Sequence, residues 1–408
     1  MRRSALIGLA LAPLLASGAA RAAGWDTPIL YSAEHMGMGG AAIGYVDDPS
    51  AIFHNPAGLA ATRGLTLMAN ATFILSTITS SPKADIVNVD SEPITALAPL
   101  IAASYTIDNR LTVGLAFYPV ASAGATYKYV RNGKDVENTT TVRFLEVSPS
   151  VAFRLAPTLS LGFGYRMSYV SLDRLDAPEV TPLDFTMTGL NFRGVRVGLQ
   201  WQPIPELQLG LVYRHKTVTE LEDDQATVIR ADQQVKASGE LVLPTKFGLG
   251  ARVNLGAAAV VLDLEYTLQS ESDELIIATD PASILTVNSV FRWKDTLTAR
   301  AGVEYGLDDT YFLRAGFVYD TQASQEKWPS AFGTPPGPSY TGTLGFGWKP
   351  ASSWDLNFAV AYRSGSAEVT QDDVNAGLSE HPCQACAKAG DYNLWMLGTY
   401  LDFTYRFE

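Results

Sequence analysis

The feature that most narrows the possible folds is a two-residue alternation that keeps returning along the chain. Leu159, Leu161, Phe163 and Tyr165 alternate with Ser160, Gly162, Gly164 and Arg166. Leu207, Leu209, Leu211 and Tyr213 oppose Gln208, Gly210 and Arg214, while Val260, Leu262, Leu264 and Tyr266 oppose Asp263 and Glu265. Trp354, Leu356, Phe358, Val360 and Tyr362 oppose Asp355, Asn357 and Arg363. A period of two belongs to strands, so each segment has one apolar face and one small or charged face. In a soluble sandwich the apolar face is the core. In a membrane barrel it faces lipid, and the polar face lines the lumen.

The connections separate these two folds. Short turns read at Asp108-Asn109-Arg110, Ala156-Pro157-Thr158, Pro203-Ile204-Pro205, Asn254-Leu255-Gly256, Gly306-Leu307-Asp308-Asp309 and Pro350-Ala351-Ser352-Ser353. They recur about every 50 residues, marked by Gly, Pro, Asn and Asp. Longer polar stretches lie between them, at 80–93, 121–138, 172–184, 221–234, 270–284, 321–339 and 368–393. Short turns at one end and long loops at the other are the asymmetry of an outer-membrane barrel, here of about fourteen strands. Tyr118, Tyr127, Tyr129, Tyr169, Tyr213, Tyr266, Tyr319 and Tyr362 fall at loop-side strand ends, and Trp201, Trp348 and Trp354 near short turns, as interfacial girdles require.

The N-terminus fits an exported chain. Met1-Arg2-Arg3 is a basic start, Ala5 to Leu15 is an apolar run too short to span a bilayer, and Ala20-Arg21-Ala22 is a cleavage-type site. Cleavage after Ala22 leaves about 386 residues and moves the formal charge from -12 to about -15, which argues against a nucleic-acid partner. Hydrophobic residues make up 47% of the chain, yet no later run approaches the ~20 apolar residues of a membrane helix. A closed barrel needs no such helix, because its strands satisfy one another's backbone groups.

One stretch near the start fits neither strand nor helix: Gly37 to Leu59, GMGGAAIGYVDDPSAIFHNPAGL. Its glycines permit tight turns and close backbone approach, and Pro49 and Pro56 each remove an amide donor. Asp47-Asp48-Pro49-Ser50 reads as a turn or helix start, and Asn55 before Pro56 is biased to extended geometry. By itself the stretch is either an ordinary loop or a segment held inside an enclosure.

Gly39-Gly40-Ala41, Asp47-Asp48-Pro49-Ser50 and Asn55-Pro56-Ala57-Gly58-Leu59 resemble the N-terminal plug signature of the FadL-type outer-membrane transporters of fatty acids and aromatic hydrocarbons. The resemblance extends to Leu243-Pro244-Thr245-Lys246-Phe247-Gly248-Leu249-Gly250 with Leu262-Asp263-Leu264-Glu265-Tyr266, and to Trp293-Lys294-Asp295-Thr296 with Leu313-Arg314-Ala315-Gly316-Phe317. The final strand, Leu397 to Phe407, alternates cleanly and resembles the family's insertion signal, although Glu408 follows the expected terminal aromatic.

The expectation is therefore an all-β, transmembrane antiparallel barrel of about fourteen strands with an N-terminal plug, divided as signal peptide 1–22, plug 23–62 and barrel 63–408. The resemblance implies capture of a hydrophobic ligand near the extracellular loops, passage beside a plug and lateral exit at a kinked strand. It places the plug or gate at Phe53, His54, Asn55, Pro56, Ala57 and Gly58, and the exit strand around Tyr118, Pro119, Ala123 and Gly124. Pro119 either interrupts pairing there or simply ends a strand. Asn55 is expected to bond an interrupted strand wall.

Arg154, Arg166, Arg196, Arg214, Arg252, Arg300, Arg314 and Arg363 fall on the lumen face, expected to pair with Asp263, Glu265, Glu304, Asp355 or Asp402. Cys383-x-x-Cys386 in the last long loop reads as a redox motif, half a metal site or, preferred in an oxidising compartment, a local disulfide. The four histidines are scattered, without metal-ligand spacing or a nucleophile signature. No catalytic residue, metal or cofactor is assigned. The expected partners are a hydrophobic small molecule, outer-membrane lipid and lipopolysaccharide, and the barrel-assembly machinery, around a monomer in a Gram-negative outer membrane. A polar-solute porin and a barrel-embedded hydrolase are the competing readings.

Overall fold

The computed structural model describes residues 31–177, 183–228, 233–281, 286–333 and 335–407. The leader expected at 1–22 and the first part of the expected plug lie outside them. Leu65–Ser80 (β1), Ile94–Thr106 (β2), Leu111–Arg131 (β3), Lys134–Ala156 (β4), Leu159–Ala177 (β5) and Leu183–Ile204 (β6) are continuous strands. The next four are each built from two pieces: Leu207–Arg214 with Thr217–Val228 (β7), Gln233–Leu243 with Lys246–Leu255 (β8), Ala258–Thr267 with Glu274–Asp280 (β9), and Thr286–Val290 with Thr296–Gly306 (β10). Tyr311–Asp320 (β11), Ser339–Ala351 (β12), Trp354–Val369 (β13) and Gly390–Phe407 (β14) complete fourteen antiparallel strands.

The sheet closes where β1 pairs with β14, from Leu65 opposite Phe407 to Thr79 opposite Asn393. Closure leaves no membrane-level edge along this seam, which is what lets strands cross lipid. No helix among the described residues is long and apolar enough to cross a membrane. Alternation sets the two faces. On β1, Leu65, Leu67, Phe73 and Leu75 are exposed outward, while Met68, Asn70, Thr72 and Ser76 are buried inward. Tyr169, Tyr266, Tyr319, Tyr340 and Tyr362 are exposed on the outer wall as a girdle. Tyr118 and Tyr127 do not belong to that girdle. Both point inward and are fully buried, because they sit in the inward register of β3.

Four of the expected long loops prove to be largely paired strand. The β3–β4 ladder runs on to Arg131 opposite Lys134, β5 reaches Ala177, β7 reaches Val228, and β9 reaches Asp280. Their inward residues, Tyr127, Leu172, Leu221 and Ile277 among them, are buried, while outward polar residues such as Lys128, Glu220 and Glu222 are exposed; the backbone still needs partners, and Thr- and Val-containing segments find them in a ladder. Three long loops remain, 81–93, 321–338 and 370–389, the last carrying a helix, Gln371–Glu380, capped by Thr370 and Asp373.

The breaks in β7 to β10 share one height. Lys246 lies between Arg214 and Thr267, and Thr267 lies beside Thr296, with the interruptions following immediately. Pro244 has no N–H to continue a ladder, and Arg292 adopts φ 36°.

Candidate functional site

The segment 31–62 lies inside the barrel and follows its inner wall around almost a full turn. It includes α1 (Ala33–Met36), α2 (Ala51–His54) and a 3-10 turn (Pro56–Ala61). On β14, Asp402 Oδ2 accepts from the amides of Ala33 and Glu34. On β12, Thr343 Oγ1 accepts from Gly39 N at 3.0 Å and donates to Gly37 O at 3.1 Å. On β9, Asp263 Oδ2 accepts from Ala42 N at 2.7 Å and Ile43 N at 3.0 Å. Asn55 Nδ2 donates to Ile43 O at 2.8 Å and reaches Leu199 O and Leu211 O at 3.1 and 3.3 Å, on β6 and β7. Arg196 Nη1 donates to Ile52 O at 2.7 Å, and Arg154 on β4 donates to Ala60 O. Thr106 Oγ1 on β2 donates to Thr62 O at 2.9 Å, three residues before β1 begins. We call this segment the collar.

The wall meets the collar through bare backbone. A methyl group built on Gly162, Gly198, Gly210, Gly316 or Gly345 would overlap Pro56, Asn55, Ile43, Met38 or Gly37 of the collar. Glycine in a strand interior weakens the strand, and here it marks where a second backbone approaches. Glycines at inward positions of alternating strands were the visible signal for these contacts.

Two sequence expectations change. Asp263 and Asp402, expected to neutralise arginines, serve collar amides instead; both side chains are buried inside the barrel, where Oδ2 of each accepts from collar N–H groups. The arginines find other partners: Arg166 with Glu146, Arg300 with Glu265, Arg252 with Glu304 at 2.7 Å, Arg314 with Glu304 at 2.7 Å and Glu34 at 3.4 Å, Arg363 with Asp320 at 3.6 Å. Asn55 bonds a continuous ladder, not an interrupted one, since Leu199 and Leu211 are direct partners. Pro56 and Ala57 lie against Gly162, and Gly58 lies against Val46 within the collar. His54 Nε2 is 2.6 Å from Tyr31 O, and burial pushes its imidazole down to about 3, so the ring is neutral.

Among the described residues, the wall opens at the seam between β2 and β3. β2 and β3 pair only from Thr106 opposite Thr112 up to Ile101 opposite Phe117. Beyond that pair, β2 continues against β1 alone and β3 against β4 alone. Glu92 N donates to Thr126 O at 2.8 Å and frames the far end, with Lys128 Nζ 3.7 Å from the Glu92 carboxylate. The opening thus runs along roughly eight residues of β3, about 25 Å. Pro99 on β2 and Pro119 on β3 stand just past the last ladder pair, and neither has an amide to offer the other strand. A bulge between Pro119 and Ala121 turns β3 away. Pro99 escaped the sequence reading, although a proline inside an apolar strand is a signal for a free edge.

A cavity of about 370 Å³ joins this window to the lumen, lined by Ala96, Ser122, Ala123, Gly124, Ile74 and Met396 among others. Below it, Tyr118 packs against Phe53 at 5.3 Å and Tyr31 at 5.9 Å, and the Tyr31 hydroxyl donates to Pro119 O. The Arg196 guanidinium lies 5.4 Å from the Phe53 ring. The fold therefore brings Phe53 to Tyr118 and Pro119, while Asn55 to Ala57 sit on β5 to β7, away from the window. Cys383 and Cys386 are disulfide-bonded at the far end of the barrel, beside Asn288 and Val290.

The model of the outer membrane protein transport protein family (OMPP1/FadL/TodX) matches residues 14–407. The chain belongs to the OMPP1/FadL/TodX family. Its members are outer-membrane transporters of hydrophobic compounds, and the protein is a barrel of the Gram-negative outer membrane. A Pseudomonas aeruginosa FadL homologue has a TM-score of 0.73 at 18% identity, covering 95% of this chain and 100% of that one. The Pseudomonas putida toluene transporter TodX scores 0.71 at 15% identity, covering 93% and 98%. The Ralstonia pickettii toluene transporter TbuX scores 0.68 at 18% identity, covering 93% and 99%. At these identities the likeness is one of fold. No curated protein sequence matches the chain.

Proposed function

We propose that the protein carries a hydrophobic small molecule, a long-chain fatty acid or a hydrocarbon, from the extracellular end of the lumen to the window between β2 and β3, where it leaves sideways into the membrane. Segment 23–62 acts as a plug that closes the axial route, and Phe53 with Tyr118 forms the floor of the exit. No catalytic step is involved. The protein works as a monomer, in contact with outer-membrane lipid and lipopolysaccharide, and is inserted by the barrel-assembly machinery.

The observation that carries this reading is the ladder that stops at Ile101 opposite Phe117. Unpaired strand edges at membrane depth are expensive and persist where they line a cavity. The lining here is mostly small or apolar, with Glu92 and Arg143 as its charged members, which suits a molecule that is largely hydrocarbon. The FadL/TodX family membership supports the same substrate class.

A diazirine-bearing alkyl probe supplied to cells tests it. Labelling should concentrate in residues 94–100 and 118–126 and be competed by unlabelled hydrocarbon. Labelling confined to the short-turn end of the barrel would overturn the sideways route.

A further inference from the structure

The wall has a second break, and it is closed by a different device. The upper piece of β10, Thr286–Val290, pairs with β9 from Glu274 opposite Val290 to Ala278 opposite Thr286. No strand among the described residues pairs with its other edge. A bare edge of this kind is a site where another chain segment adds on.

The turn around the disulfide occupies that edge. Gln384 N and Ala385 N both donate to Asn288 O, at 3.2 and 3.1 Å. Asn288 N donates to Gln384 Oε1 at 2.8 Å, and Asn288 Nδ2 donates to Pro382 O at 2.7 Å. Val290 N points at Cys383 Sγ, 3.4 Å away. The amides of Asn288 and Val290 on this edge thus both have a partner from one short turn, and Cys383 and Cys386 tie the turn's two ends together with their Cα atoms 5.7 Å apart.

We propose that this turn is a redox-released clip that stands in for a missing strand and closes the extracellular side wall of the lumen. The physical reason is conformational entropy. A short turn between the end of the Gln371–Glu380 helix and the start of β14 at Gly390 holds its amides in register only if its ends are constrained, and the disulfide supplies that constraint. A small dithiol breaks the S–S bond by transferring two electrons and two protons, leaving two thiols on the protein and a disulfide on the reductant. The turn then loses its register, and the edge of Thr286–Val290 is bared. The proposal is independent of the β2–β3 window.

Hydrogen–deuterium exchange on the folded protein in detergent, with and without dithiothreitol, tests it. Exchange at the amides of Asn288 and Val290 should rise roughly tenfold on reduction, as expected when local opening replaces a satisfied edge, while β1, β13 and β14 stay protected. The Cys383→Ser/Cys386→Ser variant, checked for heat-modifiable migration, should reproduce the reduced pattern without dithiothreitol. Unchanged exchange at 286–290 after full reduction overturns the proposal. A rise spread over the whole barrel overturns it too, since the disulfide would then hold the fold and not a clip.

Discussion

The collar seat and the window are built from the same wall, yet they treat the backbone in opposite ways. At the seat, the wall removes side chains and offers acceptors: Gly198 and Gly210 clear space, and Asp263 and Asp402 accept collar amides. At the window, the wall removes donors: Pro99 and Pro119 end the ladder, and no strand pairing between β2 and β3 follows among the described residues. The lumen is sealed where a chain must stay and left open where the proposed route leaves it. Buried polar groups are matched at the first and tolerated at the second only because a cavity adjoins them.

The largest expected effect comes from refilling the seat. Gly198→Val would push a side chain into Asn55 and Pro56, at an overpacking cost of about 1–3 kcal/mol. The collar should lift while the barrel stays inserted and heat-modifiable. Polar-solute passage in a liposome-swelling assay should then rise steeply, as it should on deleting residues 37–59. An unplugged porin would show little change in either variant.

Removing an acceptor is milder. Asp263→Ala should weaken the hold on Ala42 and Ile43 by about 1–3 kcal/mol, read as faster amide exchange at 42–43 with the strand amides unaffected. Unaltered exchange would mean that the glycine contacts alone seat the collar.

Restoring a donor at the window is milder still. Pro119→Ala would return one amide to the edge of β3, worth about 0.5–1.5 kcal/mol if it bonds across. Partial closure should slow hydrophobic uptake several-fold; faster uptake would show that the bulge, not the missing donor, keeps the strands apart. Tyr31→Phe removes only the hydroxyl that reaches Pro119 O. Its effect should be the smallest, about twofold in uptake for a bond at the weak end of the range, about 0.5 kcal/mol.

Much of this architecture was legible in the chain because a strand pattern needs only its own residues. The alternation from Leu159 to Arg166 shows its two faces without a partner, and the barrel could be started at residue 63 because the forty residues before it lacked any period. The loops at 121–138 and 221–234 misled because polar composition reports exposure, not pairing. Asp263 and Asp402 misled for a deeper reason. They sit on strands far apart in sequence, and only closure of β1 on β14 brings a segment near residue 40 across their faces. The Asn55 contact was expected in kind but on the wrong part of the wall. The collar's route around the barrel is a property of the closed ring.

The most direct test of the sideways route holds the window shut. Cysteines at Ala96 and Ser122, which line the same cavity from opposite strands, can be joined by a short bis-maleimide, with a matched pair at Leu161 and Leu199 on the continuous β5–β6 ladder as control. Uptake of a labelled long-chain fatty acid or toluene should fall to background only when the window pair is joined, with surface levels unchanged. Equal uptake in the joined and unjoined window variants would contradict exit between β2 and β3.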